Sequence, residues 1–341
     1  MALDKKPFAA VADWGTTRLR LWTLDADGAV LGESRGDDGL LRAKEAGFEP
    51  TLERHLATLS APDDLPVVIC GMAGSRTGWI EAPYMSLPAG LDGIVRAAVR
   101  VPARRHVIML PGVARRDEAA PDVMRGEETK LLGLVHRGTR DAVVVMPGTH
   151  AKWVRIADGG LADYRTFMTG ELFALLKDKS VLAGALEGAG AVDPHGAAFA
   201  AGVKASLETP ELIANALFSV RAGWLVHDRK PTNQLARLSG LLIGLEVAGG
   251  RTLYGKPQQV LLLSDGMMGA LYASALEIAG LAVKRIEADE LVRDGLFMAA
   301  RHAFAGVLQC ARVLHGQSCA IRWSRSCAGF VQKKRKQSST R

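Results

Sequence analysis

A pattern of three short strands joined by two tight turns is written twice along this chain of 341 residues. In the first copy an apolar run ends at Asp13, Trp14-Gly15-Thr16-Thr17 turns, Leu19, Leu21, Trp22 and Leu24 form a second strand, and Asp27-Gly28 leads into Ala29-Val30-Leu31. In the second copy Ala142–Met146, Lys152–Ile156 and Leu161–Phe167 are the strands, separated by Pro147-Gly148-Thr149-His150 and Asp158-Gly159-Gly160. Alternating side chains around Gly- and Asp-containing turns predict hairpins. Gly148 lies 133 residues after Gly15, and Asp158 lies 131 after Asp27. A near-constant offset across two turns predicts a duplicated domain with two turn loops facing one another.

Between and after the copies, helical and strand patterns alternate, which places the chain in the α/β class. Helices are expected over 49–59, 91–99, 127–135, 171–177, 212–226, 233–248, 268–279 and 289–304, and strands over 66–70, 107–110 and 259–263. The glycine-rich stretch from Gly71 to Gly78 is expected to be a ligand-facing loop.

Charge matters only once it is located. The net charge of +7 comes from nine Lys and Arg within residues 301–341, where no Asp or Glu occurs; the preceding 300 residues hold 34 bases against 36 acids. The body is therefore mildly acidic, which argues against nucleic acid as its partner. Cys70 is the single cysteine of the body, whereas Cys310, Cys319 and Cys327 crowd the tail at spacings that fit no zinc pattern. Lone thiols suit a reducing compartment, and the absence of a signal-peptide pattern and of any long charge-free apolar run leads us to expect a cytoplasmic chain without membrane contact. The tail, 305–341, is expected to be a disordered extension.

Each turn loop presents backbone amides and hydroxyls at one point, a chemistry that holds phosphate oxygens, although such a turn is also an ordinary hairpin corner. Asp13 offers a carboxylate to Mg²⁺. Lys152 could neutralise a phosphoryl group or a substrate carboxylate, and a carboxylate of the Glu127-Glu128 pair could accept a proton; a solvated strand lysine and acids complementing a helix dipole are the competing readings.

Six motifs occur in order: Asp13-Trp14-Gly15-Thr16-Thr17, Gly71-Met72-Ala73-Gly74-Ser75 with Trp79 and Pro83-Tyr84, Met124-Arg125-Gly126-Glu127-Glu128-Thr129, Met146-Pro147-Gly148-Thr149-His150-x-Lys152-Trp153, Met168-Thr169-Gly170-Glu171-Leu172, and Ser239-Gly240-Leu241-Leu242-Ile243-Gly244. Together, over residues 8–304, they resemble the 2-dehydro-3-deoxygalactonokinase family. The resemblance implies a duplicated two-domain, actin-like (ribonuclease H-like) ATPase fold with ATP in the cleft, an N-terminal domain over 1–140 and a C-terminal ATPase domain over 141–304. The implied activity is ATP-dependent phosphorylation of the 6-hydroxyl of 2-dehydro-3-deoxy-D-galactonate, with Mg²⁺.

The resemblance also implies roles. Asp13 would organise the metal ion, Gly15, Thr16 and Thr17 the first phosphate loop, and Gly148, Thr149 and His150 the second. Gly126-Glu127-Glu128 stands where related glycerol-kinase-like enzymes carry a Gly-Asp-Gln base segment, which makes Glu127 the candidate base, with Glu128 and then Asp13 as competitors and Lys152 beside them. Arg18, Arg76 and Arg125 are candidates for the substrate carboxylate, with Gly74, Ser75, Trp79 and Tyr84 shaping the pocket. Gly240, Gly266 and Gly269 are placed near adenosine. The competing functions are a same-fold kinase for another sugar acid such as 2-dehydro-3-deoxygluconate, a catalytically weak regulator whose basic tail meets DNA, and an actin-like filament protein. Homo-oligomerisation is left open.

Overall fold

The structure is a computed structural model that describes residues 6–304; the expectations about the basic, cysteine-bearing tail fall outside them. The first copy forms an antiparallel meander, β1 (Ala9–Trp14), β2 (Leu19–Leu24) and β3 (Val30–Gly36). Its second turn is closed locally: Asp25 Oδ1 accepts the amides of Asp27 and Ala29 at 2.9 and 2.8 Å, and Gly28 takes φ +87°. There follow α1 (Leu40–Ala46), α2 (Phe48–Thr58), β4 (Val67–Gly71), β5 (Met85–Ser86), α3 (Leu91–Arg96), β6 (Val99–Val101), β7 (Val107–Met109), β8 (Val113–Arg115), β9 (Asp122–Met124) and α4 (Glu127–His136).

The second copy repeats the meander as β10 (Ala142–Met146), β11 (Ala151–Ala157) and β12 (Gly160–Phe167). After it come α5 (Thr169–Lys179), α6 (Ala183–Leu186), α7 (Ala197–Glu208), α8 (Ile213–His227), α9 (Pro231–Tyr254), β13 (Gln259–Leu263), α10 (Gly266–Ile278), β14 (Ala282–Ile286) and α11 (Ala288–Ala303).

Topology shows the duplication directly. The first sheet runs β3-β2-β1-β4-β7-β6 and the second β12-β11-β10-β13-β14. In both, the central strand pairs antiparallel with the hairpin strand that follows it and parallel with the next crossover strand. This is the ribonuclease H-like order written twice, the actin-like frame expected above. Each sheet has its own core, around Trp14, Leu21 and Ile69 in the first and around Val145, Trp153 and Leu262 in the second.

Three departures from expectation have physical causes. The helix predicted over 91–99 stops at Arg96, because Val99-Arg100-Val101 pairs antiparallel with β7 as an edge strand, and the β-branched residues pack better there. The helix α7 was not predicted: its alanine-rich sequence has little periodicity, and it is held by close backbone approach to α9. A Cβ on Gly240 would stand 2.2 Å from the Phe199 carbonyl oxygen, and one on Gly202 2.6 Å from that of Arg237. The strand β14 was missed too, its exposed Lys284 and Arg285 masking the pattern.

The last helix, α11, does not stay with the second sheet. It packs on β1 and β4 and crosses α4, where Gly133 and Gly295 let the two backbones touch; a Cβ on Gly295 would lie 2.0 Å from the Thr129 carbonyl oxygen. Its apolar stripe, including Leu291, Val292 and Leu296, is buried in that contact. No helix among the described residues is long and apolar enough to cross a membrane.

Candidate active site

The first turn loop is anchored from behind. The amides of Gly39, Leu40 and Leu41 at the start of α1 donate to the carbonyl oxygens of Thr17, Gly15 and Thr16, and Gly15 N–H closes the turn on the Arg18 oxygen at 2.9 Å. Thr16, Thr17 and Arg18 stand exposed above it, around a shallow cavity shared with Asp37 and Arg42. Asp13, one residue short of the end of β1, sits at the floor of this loop, 3.9 Å from the Cys70 thiol. Burial raises its carboxyl above the ordinary range, Lys130 and Arg20 pull the other way, and Glu127 adds to the rise. Burial also pushes the Cys70 thiol well up, with Asp13 and Glu128 reinforcing the effect.

Two backbone approaches bring the next elements to Asp13. Gly71, at φ +93°, lies where a Cβ would come 2.7 Å from the Trp14 carbonyl oxygen, and Gly126, at φ +102°, lies where one would come 3.3 Å from Gly71 Cα. Both positions need glycine for backbone angle as well as for space. The result is a stack of the strand end, the 71–84 loop and the start of α4.

Arg125 is buried at that start. Its Nη2 donates to the Ala82 carbonyl oxygen at 2.7 Å, and its guanidinium lies 4.3 Å from the centroid of the Tyr84 ring. Its Nε and Nη1 are buried and have no hydrogen-bond partner among the described residues, and the same holds for Ser75 Oγ on the 71–84 loop. Gly74 keeps the space open, since a Cβ there would meet Arg125 Nη1 at 3.0 Å and the Met109 side chain. Buried guanidinium donors left unpaired are costly, and an anionic partner such as a carboxylate or phosphate satisfies them.

The two neighbouring glutamates differ sharply. Glu128 is fully buried, its carboxylate folded back on the Gly126 amide at 2.7 Å, and burial with the adjacent Glu127 pushes it up to about 8. It caps its own helix. Glu127 is about one-third exposed, accepts the Arg125 amide at 3.2 Å and meets Lys152 Nζ at 3.0 Å. Lys152, on β11, is itself buried and also donates to the His150 carbonyl oxygen at 2.9 Å. This ion pair ties the first copy to the second.

The second turn loop is gripped by α5. Gly170 packs so closely that its Cβ would stand 2.4 Å from the Gly148 carbonyl oxygen, the Glu171 amide donates to the Thr149 oxygen, and His150 Nε2 lies 2.6 Å from Glu171 Oε2. Beside it opens a cavity of about 310 Å³ lined by residues that include Gly148, Thr149, Thr169, Ser239, Met268 and Tyr272. Beneath the floor, Glu246 of α9 is fully buried and accepts Trp153 Nε1 at 2.9 Å, the Tyr272 hydroxyl at 2.6 Å and the Thr169 hydroxyl. Burial pushes its carboxyl up to about 7 against those three donors.

The structure thus gathers Asp13, Glu127, Lys152, Arg125, Ser75, Gly74 and Tyr84 around the two loops. Arg76 stands exposed on the 71–84 loop, while Trp79 spends its ring on Phe48, stacked at 5.9 Å, and on Trp14. Gly240 lies in the α7–α9 contact, Gly269 in a tight approach to the Ser264 oxygen, and Gly266, at φ +58°, opens α10. Sequence reasoning missed Glu246, Thr169 and Tyr272 as a joined group. The available signal was a lone carboxylate inside the apolar helix stretch Leu241–Ala248.

Among the described residues no three His, Cys, Asp or Glu side chains are arranged to enclose a metal ion. Asp13 offers a single carboxylate, a donor set suited to Mg²⁺ that arrives with phosphate oxygens and water and unsuited to a caged ion.

Comparison with known proteins places the chain in a family. The profile of the 2-keto-3-deoxy-galactonokinase family matches residues 13–299. A protein of Rhizobium meliloti (strain 1021) named "Probable 2-dehydro-3-deoxygalactonokinase" is 48% identical over 296 residues, spanning 86% of this chain and 97% of its own. The 2-dehydro-3-deoxygalactonokinase of Escherichia coli (strain K12) is 34% identical, over 83% of this chain and 94% of its own. A crystal structure from Sinorhizobium meliloti carrying the same designation as the first relative superposes with a TM-score of 0.84 at 47% identity, covering 86% of this chain and 98% of that one. The chain belongs to the 2-keto-3-deoxy-galactonokinase family.

Proposed function

We propose that the protein transfers the γ-phosphoryl group of ATP to the 6-hydroxyl of 2-dehydro-3-deoxy-D-galactonate, a cytoplasmic step of galactonate breakdown that uses Mg²⁺. The observation that carries this reading is the pair of unpartnered buried donor groups, Arg125 Nε/Nη1 and Ser75 Oγ, with Glu127 accepting the Arg125 backbone amide. An acidic substrate satisfies the donors with its carboxylate end, which leaves its far hydroxyl for Glu127.

In this reading residues 1–140 hold the sugar acid and the first phosphate loop, and 141–304, apart from α11, which packs back on the first half, hold ATP. Arg125, steadied by Tyr84 and Ala82, binds the carboxylate; Gly74 and Ser75 shape the pocket, with Arg18, Arg76 and Trp79 at its margin. Glu127 accepts the proton of the attacking hydroxyl. Lys152 neutralises charge on the transferring phosphoryl oxygens; the amides of Thr16, Thr17, Gly148 and Thr149, with His150, hold phosphates, while Gly15, its own amide spent on the Arg18 oxygen, shapes the first phosphate loop. Asp13 would ligate Mg²⁺, which supplies charge neutralisation to the phosphates. The cavity between Ser239 and Tyr272 takes adenosine, near Gly240, Gly266 and Gly269. Glu128 is disfavoured as the base because its proton is held up to about 8 and its oxygens are spent on the helix start.

The test is ADP release with ATP and Mg²⁺ against 2-dehydro-3-deoxygalactonate, its gluconate epimer, glycerol and buffer. Turnover selective for the galactonate compound is expected. Preference for the epimer would reassign the substrate, and no turnover from folded protein would sink the reading.

A further inference from the structure

The helix α8 carries large apolar side chains on two opposite faces, yet only one of them is covered. Ile213, Ala216, Leu217 and Val220 pack on the cluster formed with Leu182, Leu235 and Leu238. The opposite stripe, Asn215, Phe218, Ala222 and Leu225, repeats at intervals of three, four and three residues, with Leu212 and Val226 beside it. Phe218 is 58% exposed, Leu225 55% and Val226 68%. A large apolar helix face is normally buried. The sole Lys, Arg, Asp or Glu within α8 is Arg221, whose guanidinium is turned aside onto the Val181 carbonyl oxygen at 2.7 Å.

We propose that this face is the twofold interface of a homodimer, with α8 of one copy packed antiparallel on α8 of a second copy. Two features select a second copy over an unrelated partner. The first is charge: exposed Glu208 and Glu211 precede the helix, and exposed His227, Asp228, Arg229 and Lys230 follow it. Antiparallel packing about a point between Phe218 and Ala222 sets Phe218 against Ala222 of the second copy, Asn215 against its Leu225, and Glu211 against its Arg229. The acidic end of each helix then meets the basic end of the other, and the helix dipoles oppose. The second is size. The exposed apolar side chains of Leu212, Phe218, Leu225 and Val226 with Val181 present roughly 500 Å² per copy, so that two copies together reach about the 1,000 Å² a specific interface needs.

Sedimentation velocity of the full chain at micromolar concentration decides the matter. A species of twice the 36.3 kDa chain mass is expected. Phe218→Glu with Leu225→Glu, both surface substitutions checked for retained circular dichroism, should weaken dimerisation at least about a hundredfold. Glu211→Arg alone should weaken it, and Glu211→Arg combined with Arg229→Glu should restore it, since both swapped pairs recur across a twofold axis. A monomeric wild type, a dimer indifferent to the double glutamate variant, or a charge swap that fails to restore would each overturn the proposal. So would a monomer that dimerises only after removal of residues beyond 304, which would make the chain's own end the occupant.

Discussion

The two turn loops are built on one plan and carry opposite charge. Each joins the central strand of its sheet to the next strand, and each is gripped from behind by the start of a helix, α1 in the first and α5 in the second. At the base of the first lies a carboxylate, Asp13, whose proton affinity is raised by burial. At the base of the second lies a buried ammonium, Lys152, which Glu127 reaches across to meet at 3.0 Å. Duplication supplies a frame with two like turn loops; under the proposed function, divergence around them leaves the metal-holding Asp13 and the proton-accepting Glu127 on the first half and the phosphoryl-neutralising Lys152 on the second.

If that division is right, damage to each side has a different signature. The largest effect is expected for Glu127→Gln, which keeps the shape and removes the base: kcat should fall by about 10²–10⁴. Lys152→Met should lower kcat by roughly 10²–10³, because positive charge at the transferring group is lost. Arg125→Lys should act on one substrate only, raising KM for the sugar acid by about 10–100-fold with KM for ATP unchanged, since an ammonium cannot reproduce the guanidinium fork or its stacking on Tyr84. His150→Gln should do the converse, raising KM for ATP a few-fold and leaving the sugar acid alone. Equal effects of the last two variants on both substrates would break the comparison.

The smallest kinetic change is expected for Glu128→Gln, whose signature is in stability. With its carboxyl raised to about 8, Glu128 keeps in the folded state a proton that the unfolded chain releases near 4.5. The stability this contributes is complete below about 4.5 and is lost as pH rises toward about 8. Glu246, raised to about 7, acts in the same direction over a slightly narrower range. The unfolding temperature should therefore decline between about pH 5 and 8 in the wild type, and less steeply in Glu128→Gln.

Much of the fold was legible in the sequence because hairpin grammar is local: Asp27-Gly28 and Asp158-Gly159 announce their turns by residue type. The same holds for Gly71 and Gly126, whose positive φ angles only glycine adopts freely. Elements set by tertiary contact were not legible. The β6 edge is a three-residue strand that exists by pairing with β7, and α7 lacks a periodic stripe because glycine contacts with α9 hold it. The site divides in the same way. Motif residues such as Asp13, Arg125 and Lys152 could be named in advance, but the difference between Glu127 and Glu128 lies in burial, which adjacent identical residues do not display. Glu246 was hidden for the same reason, as a carboxylate whose three donors come from distant segments.

The most direct test of the account is kcat for ADP release from 2-dehydro-3-deoxygalactonate and ATP, measured side by side for wild type, Glu127→Gln and Glu128→Gln. The account predicts loss of about two orders of magnitude or more in Glu127→Gln and a change within a few-fold in Glu128→Gln. Full activity in Glu127→Gln with collapse in folded Glu128→Gln would contradict it.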